Sequence, residues 1–264
     1  MSGSQEARIS SLDAVLDQTP GGDQISAELF AVVDALDSSS MLRRSLTDPN
    51  VADSDRQALA SRLLEGRVSE ATLKIVHEAV ADRWPGGRTL AAALERQAVR
   101  AELARAQAAG ELDETEDSLF RFSRLVESNP ELRNALADRR ISVADRQTLV
   151  TALLQSRAGG ATEALARRAV VARERTFDNT IEGYVTLAAA QQNRLLATVR
   201  VARPLSAEQS QRLRAALSKQ AGRDVAIQEI VEPDLLGGIR VELGDQVIEG
   251  TVASRLDDAK RLFG

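Results

Sequence analysis

The chain has 264 residues, a formal net charge of −5, no cysteine and one histidine. Without cysteine there is no disulfide, thiolate nucleophile or thiolate metal site, and an acidic balance with no long basic run argues against a nucleic-acid partner. No apolar run approaches the roughly 18–20 residues that a membrane span needs, and the N-terminus lacks the apolar core of a signal peptide, so we expect an intracellular protein.

Apolar residues at helical spacing predict five helices in the first third of the chain. They are residues 5–17, a helix that follows Ser26, a short one at 41–46, one that ends near Gly66, and one that Ser69 opens. The segment Trp84-Pro85-Gly86-Gly87 is the strongest break in this third, so we place a domain boundary after residue 86. A long alanine-rich helix is predicted over 88–109, with Gly110 just past its end.

The chain repeats itself at a distance of 90 residues. Residues 29–80 align with 119–170 without a gap, with 18 identities in 52 positions. The segment Asp55-Arg56-Gln57 matches Asp145-Arg146-Gln147, and the flanking leucines match in register. We interpret this as a duplicated helical unit that forms two related bundles.

The last 70 residues have a different pattern. Alternating apolar residues predict a strand that begins near 196, a second strand at 225–230, and a hairpin formed by 239–243 and 247–248 around Gly244-Asp245. Ser206 and Gln209 form a capping box for a helix that ends at Gly222, and a last helix is predicted at 251–263. The fold class is therefore mostly α, with N-terminal helical bundles and a small C-terminal α+β domain.

The C-terminal motifs resemble the delta subunit of F-type ATP synthases, the family that includes the mitochondrial oligomycin-sensitivity-conferring protein. The matching segments read A-R-P-L-S at 202–206, G-R-D-V at 222–225, E-P-D-L-L-G-G-I-R-V at 232–241, G-D-Q-V-I-E-G-T at 244–251 and R-L at 255–256. Glu232, Glu249 and Thr251 replace Asp, Asp and Ser of the family pattern, and each replacement keeps the chemistry. The signature residues that set the fold are Pro233, Gly237, Gly238, Gly244, Asp245 and Gly250.

The middle of the chain carries a second resemblance. R-T-L-A-A-A-L at 88–94 resembles the R-x-Y-A-x-A-L helix that opens the family's six-helix bundle, with Leu90 in the tyrosine position. The predicted domains are thus 1–86, an extra helical unit that partly copies the bundle; 87–194, the six-helix bundle; and 195–264, the α+β domain. Long duplicated chains of this kind resemble actinobacterial delta subunits.

The resemblance implies a non-catalytic stator subunit of the peripheral stalk. In the family, the bundle binds N-terminal segments of alpha subunits, the C-terminal region meets the b stalk, and together they hold the catalytic head against rotor torque. Such a protein lies at the cytoplasmic face of the plasma membrane and meets the membrane only through the complex. Candidate residues for the alpha-binding groove are Leu90, Ala91, Leu94 and Ala98. Packing within the bundle alone is the alternative for these side chains.

Nothing in the sequence points to catalysis. The single histidine, His77, has Arg167 as its counterpart in the repeat, and no phosphate-binding loop motif occurs, so we expect no catalytic residue, cofactor or metal. Trp84 is expected to fill the core or to anchor a hinge. The arginines at 167–168 and 173–175 are expected to face solvent, with a surface for an acidic partner as the alternative. The alternative function is a helical adaptor with a different partner.

Overall fold

A computed structural model of the chain describes residues 3–19, 24–155, 157–171, 176–192, 195–221, 225–233, 235, 239–243 and 246–249. These residues form twelve helices and four strands, which confirms the predicted fold class. The helices of the first part are α1 Gly3–Asp17, α2 Ile25–Ser38, α3 Ser40–Thr47, α4 Asp53–Leu64, α5 Glu70–Ala81, α6 Gly87–Ala108, α7 Leu112–Ser128, α8 Pro130–Ala137, α9 Val143–Leu154, α10 Gly160–Ala169 and α11 Phe177–Gln191. The elements that follow are β1 Leu195–Val201, α12 Ala207–Ala221, β2 Val225–Val231, β3 Ile239–Leu243 and β4 Gln246–Glu249.

The chain divides into two compact units, residues 1–184 and 185–264. The helical unit has a core in which the buried faces of α1, α2 and α5 meet the first half of α6. Leu12, Leu29, Ile75, Leu90 and Leu94 are all fully buried in it. The further division of the helical part at residue 86 stays a prediction, and α6 packs against helices on both sides of that position.

The helix boundaries reproduce the internal repeat. The helices α3 and α8 begin and end 90 residues apart, and so do α4 and α9. Matching N-caps start α3 and α8, where Ser39 Oγ accepts from Leu42 N at 3.2 Å and Asn129 Oδ1 accepts from Leu132 N at 3.1 Å. The predicted duplication is therefore visible as repeated structure.

The long helix α6 belongs to both copies of the repeat. A shift of 90 residues carries its start at Gly87 onto Phe177, the start of α11. The same shift carries α1, at residues 3–17, onto 93–107, which lies within α6 and ends one residue before it. One helix thus ends the first repeat and begins the second. Gly110 follows it with a φ of 74°, a left-handed conformation that glycine adopts without strain.

The C-terminal unit contains a mixed four-stranded sheet in the order β2-β1-β3-β4. Strands β1 and β2 are parallel and joined through α12, whereas β3 runs antiparallel to β1 and to β4. The predicted capping box is present, because Ser206 N donates to Gln209 Oε1 at 2.9 Å and Gln209 N donates to Ser206 Oγ at 3.2 Å. The core under the sheet consists of Ala197, Val199, Val201, Leu217, Val225, Val241 and Leu243.

The pairing of Leu243 with Gln246 confirms the predicted hairpin. Its two turn residues, Gly244 and Asp245, lie outside the described residues, as do Gly237, Gly238, Gly250 and the helix predicted at 251–263. Pro233 is exposed and stands in the turn that follows β2.

Candidate interaction surfaces

A buried arginine organises each repeat. Arg56 on α4 is 2% exposed, and its Nε donates to Val80 O at 2.8 Å. The same guanidinium donates to Val51 O at 2.6 Å and to Ala81 O at 2.9 Å, so it ties α4 to the end of α5 and to the loop before α4. A buried charge is tolerated when its hydrogen bonds are satisfied, which is the case here.

Arg146 takes the equivalent position in the second repeat. It is 8% exposed, and its Nη1 donates to Leu136 O at 2.9 Å and to Val170 O at 3.3 Å. The neighbouring glutamines also match, since Gln57 Nε2 donates to His77 O at 3.2 Å and Gln147 Nε2 donates to Arg167 O at 3.3 Å. Two contacts of the repeated segment thus recur 90 residues apart: the arginine donates to Val80 O and to Val170 O, and the glutamine to His77 O and to Arg167 O.

A third buried arginine, Arg168, connects the two repeats. Arg168 on α10 lies 3.2 Å from Glu95 on α6, and these side chains are 7% and 5% exposed. Arg168 Nη1 also donates to Asp34 Oδ1 on α2 at 2.5 Å, and the guanidinium carbon lies 4.9 Å from the centre of the Phe30 ring. Tyr184 on α11 completes the cluster, since its hydroxyl donates to Glu95 Oε1 at 3.2 Å.

This cluster corrects the expectation that Arg168 faces solvent. Burial by itself disfavours the charged form, but the Glu95 and Asp34 carboxylates outweigh it and raise the pKa of Arg168 above its ordinary value. The neighbouring Arg167 is exposed, as predicted. The arginines at 173–175 lie outside the described residues.

The N-terminus of α5 is held by a carboxylate from α2. Glu28 Oε2 accepts from Ser69 N at 3.0 Å, from Ser69 Oγ at 2.7 Å and from Thr72 Oγ1 at 2.6 Å. Burial raises the pKa of Glu28, but the hydrogen bonds from Thr72 and Ser69 outweigh it and hold this pKa below its ordinary value. The ionised carboxylate thus stabilises the contact between the two helices.

An apolar groove opens on the first repeat. It is lined only by Val, Ala and Leu side chains from α2, α3, α4, α5 and α6. Leu63 is 39% exposed at the mouth of the groove, and Leu36 is buried at 1%.

The four predicted groove residues lie in or beside this region. Leu90 and Leu94 line the groove, and all four of Leu90, Ala91, Leu94 and Ala98 are fully buried in the core with α1, α2 and α5. Ala91 and Ala98 are not among the groove residues. Contact of these four residues with a partner stays a prediction. Leu63 itself was not singled out, because a leucine within a helical pattern carries no sign of its exposure.

The single tryptophan and the single histidine have structural partners. Trp84 is 6% exposed and donates through Nε1 to Ala79 O at 2.6 Å, which confirms that it fills the core. His77 is half-buried, and its Nε2 lies 2.8 Å from Ser61 Oγ, so it joins α5 to α4. Across the described residues, no group of three or more His, Cys, Asp or Glu side chains is arranged to hold a metal ion. Within the same residues, no helix has the length and apolar character of a membrane span.

Comparison with known proteins identifies the family. The model of the ATP synthase delta (OSCP) subunit family matches residues 98–263. The chain is 44% identical to the ATP synthase subunit delta of Streptomyces avermitilis, over 95% of this chain and 92% of that protein. It is 40% identical to the ATP synthase subunits delta of Kineococcus radiotolerans and of Parafrankia sp., in both cases over 99% of each chain.

These matches also bear on the first 86 residues. The family model begins at residue 98, inside α6, whereas the two relatives matched over 99% of their length include the N-terminal repeat. The resemblance seen in the C-terminal motifs is thus confirmed over nearly the whole chain. The chain belongs to the ATP synthase delta (OSCP) subunit family and is a non-catalytic subunit of the peripheral stalk of F-type ATP synthase.

Proposed function

We propose that this subunit links the alpha subunits of the catalytic head to the b subunits of the stalk and resists the torque of the rotor. In this proposal an N-terminal segment of alpha binds the helical unit, and b binds the C-terminal unit. The subunit then lies at the cytoplasmic face of the plasma membrane and contacts the membrane only through the complex.

The apolar groove on the first repeat supports the part of this proposal that concerns alpha. Leu90 and Leu94 lie at its floor and Leu63 lies at its mouth. All the side chains that line it are apolar. An amphipathic helix buries its apolar face in such a groove, at about 25 cal/mol for each Å² removed from water.

An exposed apolar residue in the C-terminal unit supports the part that concerns b. Val231 is 43% exposed at the end of β2, which is an edge strand of the described sheet. The unpaired backbone groups of an edge strand can pair with a strand of another chain.

Co-purification of the full chain with alpha and b tests both parts. Leu63→Asp places a charge at the groove mouth and should reduce recovery of alpha at least tenfold while b is retained. Met41→Asp is the matched control, since Met41 is 71% exposed but does not line the groove. Val231→Asp should reduce recovery of b and leave alpha unchanged. Full retention of alpha by the Leu63 variant would remove the groove from the proposal.

A further inference from the structure

The N-termini of α5 and α10 occupy the same place in the two repeats but are completed differently. In the first repeat, Glu28 supplies a carboxylate that accepts from Ser69 and Thr72, as described above. Because the first backbone N–H groups of a helix have no partner within the helix, a carboxylate at this end is stabilised by them and by the helix dipole.

The second repeat keeps the threonine hydroxyl but lacks both the serine hydroxyl and the carboxylate acceptor. Thr162 matches Thr72, but Ser118 stands where the first repeat has Glu28, and Gly159 stands where it has Ser69. The helices still pack in the same way, since α7 contacts α10 as α2 contacts α5. No side chain caps α10 at Gly159. Serine is too short to carry a carboxylate to this helix end, so the second repeat lacks the internal acceptor of the first.

Thr162 provides an independent observation. Its side chain is fully buried, and its Oγ1 makes no hydrogen bond, whereas the matching Thr72 Oγ1 donates to Glu28 at 2.6 Å. A buried hydroxyl without an acceptor lowers the stability of the folded state by about 1–3 kcal/mol. An external acceptor for the Thr162 hydroxyl would remove this cost. The acceptor that the first repeat uses is a carboxylate oxygen.

The first residue of α10, Gly160, is exposed. A Cβ atom on Gly160 would meet no atom within 4 Å, and one on Gly159 would have only Glu111 Oε2 among such neighbours, at 3.9 Å. Glu111 is exposed beside Gly159. Its negative charge disfavours a dianion such as phosphate more strongly than a singly charged carboxylate.

We propose that the N-terminus of α10 binds a carboxylate from outside the repeat, at the place that Glu28 fills in the first repeat. The donors are the free backbone N–H groups of the first turn of α10 and the hydroxyl of Thr162. The ligand is a single carboxylate, either of a small organic acid or of an acidic side chain.

Titration of the full chain with acetate, followed by amide NMR, tests this site. The amide signals of Gly160, Ala161 and Thr162 should shift and saturate, while those of Glu70, Ala71 and Thr72 should not move. Ser118→Glu gives the second repeat its own carboxylate and should abolish the acetate response at α10. The reciprocal variant, Glu28→Ser, should create an acetate response at α5.

Two outcomes would overturn the proposal. In the first outcome, the amide signals of α10 show no saturable shift with acetate, whereas those of α5 respond in the Glu28→Ser variant. The method would then detect such a site where one exists, and α10 would lack one. The second is that Glu111→Gln shifts the same three α10 signals without acetate, because Glu111 would then be the natural occupant. Unchanged signals elsewhere in each spectrum show that the variants are folded.

Discussion

Arg56 and Arg146 lie 90 residues apart and donate to carbonyl oxygens that are also 90 residues apart, those of Val80 and Val170. The two contacts are unequal, because Arg56 Nε makes its bond at 2.8 Å whereas Arg146 Nε is buried without an acceptor. The duplicated motif has kept its geometry in both copies, but the first copy is better satisfied.

Because Arg56 makes more hydrogen bonds than Arg146, substituting the two arginines should lower the free energy of unfolding by different amounts. Arg56→Met should lower the free energy of unfolding by about 3–4 kcal/mol, since several buried carbonyl groups lose their donor. Arg146→Met should cost about 1–2 kcal/mol, because fewer bonds are lost. Urea denaturation measures both. Arg62→Met is the control on the same helix as Arg56, and as an exposed residue it should change stability by less than about 0.5 kcal/mol. Equal costs for the two buried arginines would contradict the inferred asymmetry.

Arg168 and Glu95 are predicted to couple strongly. Arg168→Met leaves the Glu95 carboxylate buried without its partner and should cost about 3–5 kcal/mol. Adding Glu95→Gln removes that charge and should recover a large part of the loss, so a double-mutant cycle should give a coupling energy above about 1 kcal/mol. Arg167→Met, at the exposed neighbouring position, is the control. Additive effects of the two substitutions would show that the pair does not act as a unit.

Glu28 is predicted to make stability depend on pH. Its folded-state pKa lies below the ordinary value of 4.5, so its contribution is fully present above that value and is lost as the pH falls through the folded-state pKa. Thermal unfolding between pH 6 and pH 3 should therefore show a shallower loss of stability for Glu28→Gln than for the parent chain. The control is Glu70→Gln, which removes a nearby exposed carboxylate. Identical slopes for Glu28→Gln and the parent would rule out this carboxylate as a source of the pH dependence.

Gly87 is predicted to tolerate no side chain. A Cβ at this position would overlap the Arg43 side chain and lie 3.1 Å from its carbonyl carbon, because α6 starts close against α3. Gly87→Ala should therefore cost about 1–3 kcal/mol. The adjacent Gly86 has no atom within 4 Å of its Cβ position, so Gly86→Ala should be close to neutral. Thermal unfolding of the two variants compares neighbouring positions directly, and equal melting temperatures would contradict the packing argument.

Much of this architecture could be predicted from the sequence. The 90-residue offset, the helix over 88–109 and the Ser206 capping box each depend on local patterns or direct alignment, and the structure confirms them. The buried position of Arg168 could not be predicted, since its partners Glu95 and Asp34 lie 73 and 134 residues away along the chain. The exposure of Leu63 at the groove mouth could not be predicted either. Periodicity shows which face of a helix is apolar, but it does not show which residues of that face the neighbouring helices leave uncovered.

The double role of α6 has a consequence for how such a chain lengthens. Copying a closed six-helix domain would add six helices, but an offset of 90 residues adds five, because the last helix of one copy is the first helix of the next. Each copy therefore shares α6 with its neighbour and lacks one helix without it. No separate linker is introduced between the two copies. Growth by this route lengthens the helical part in fixed increments of five helices.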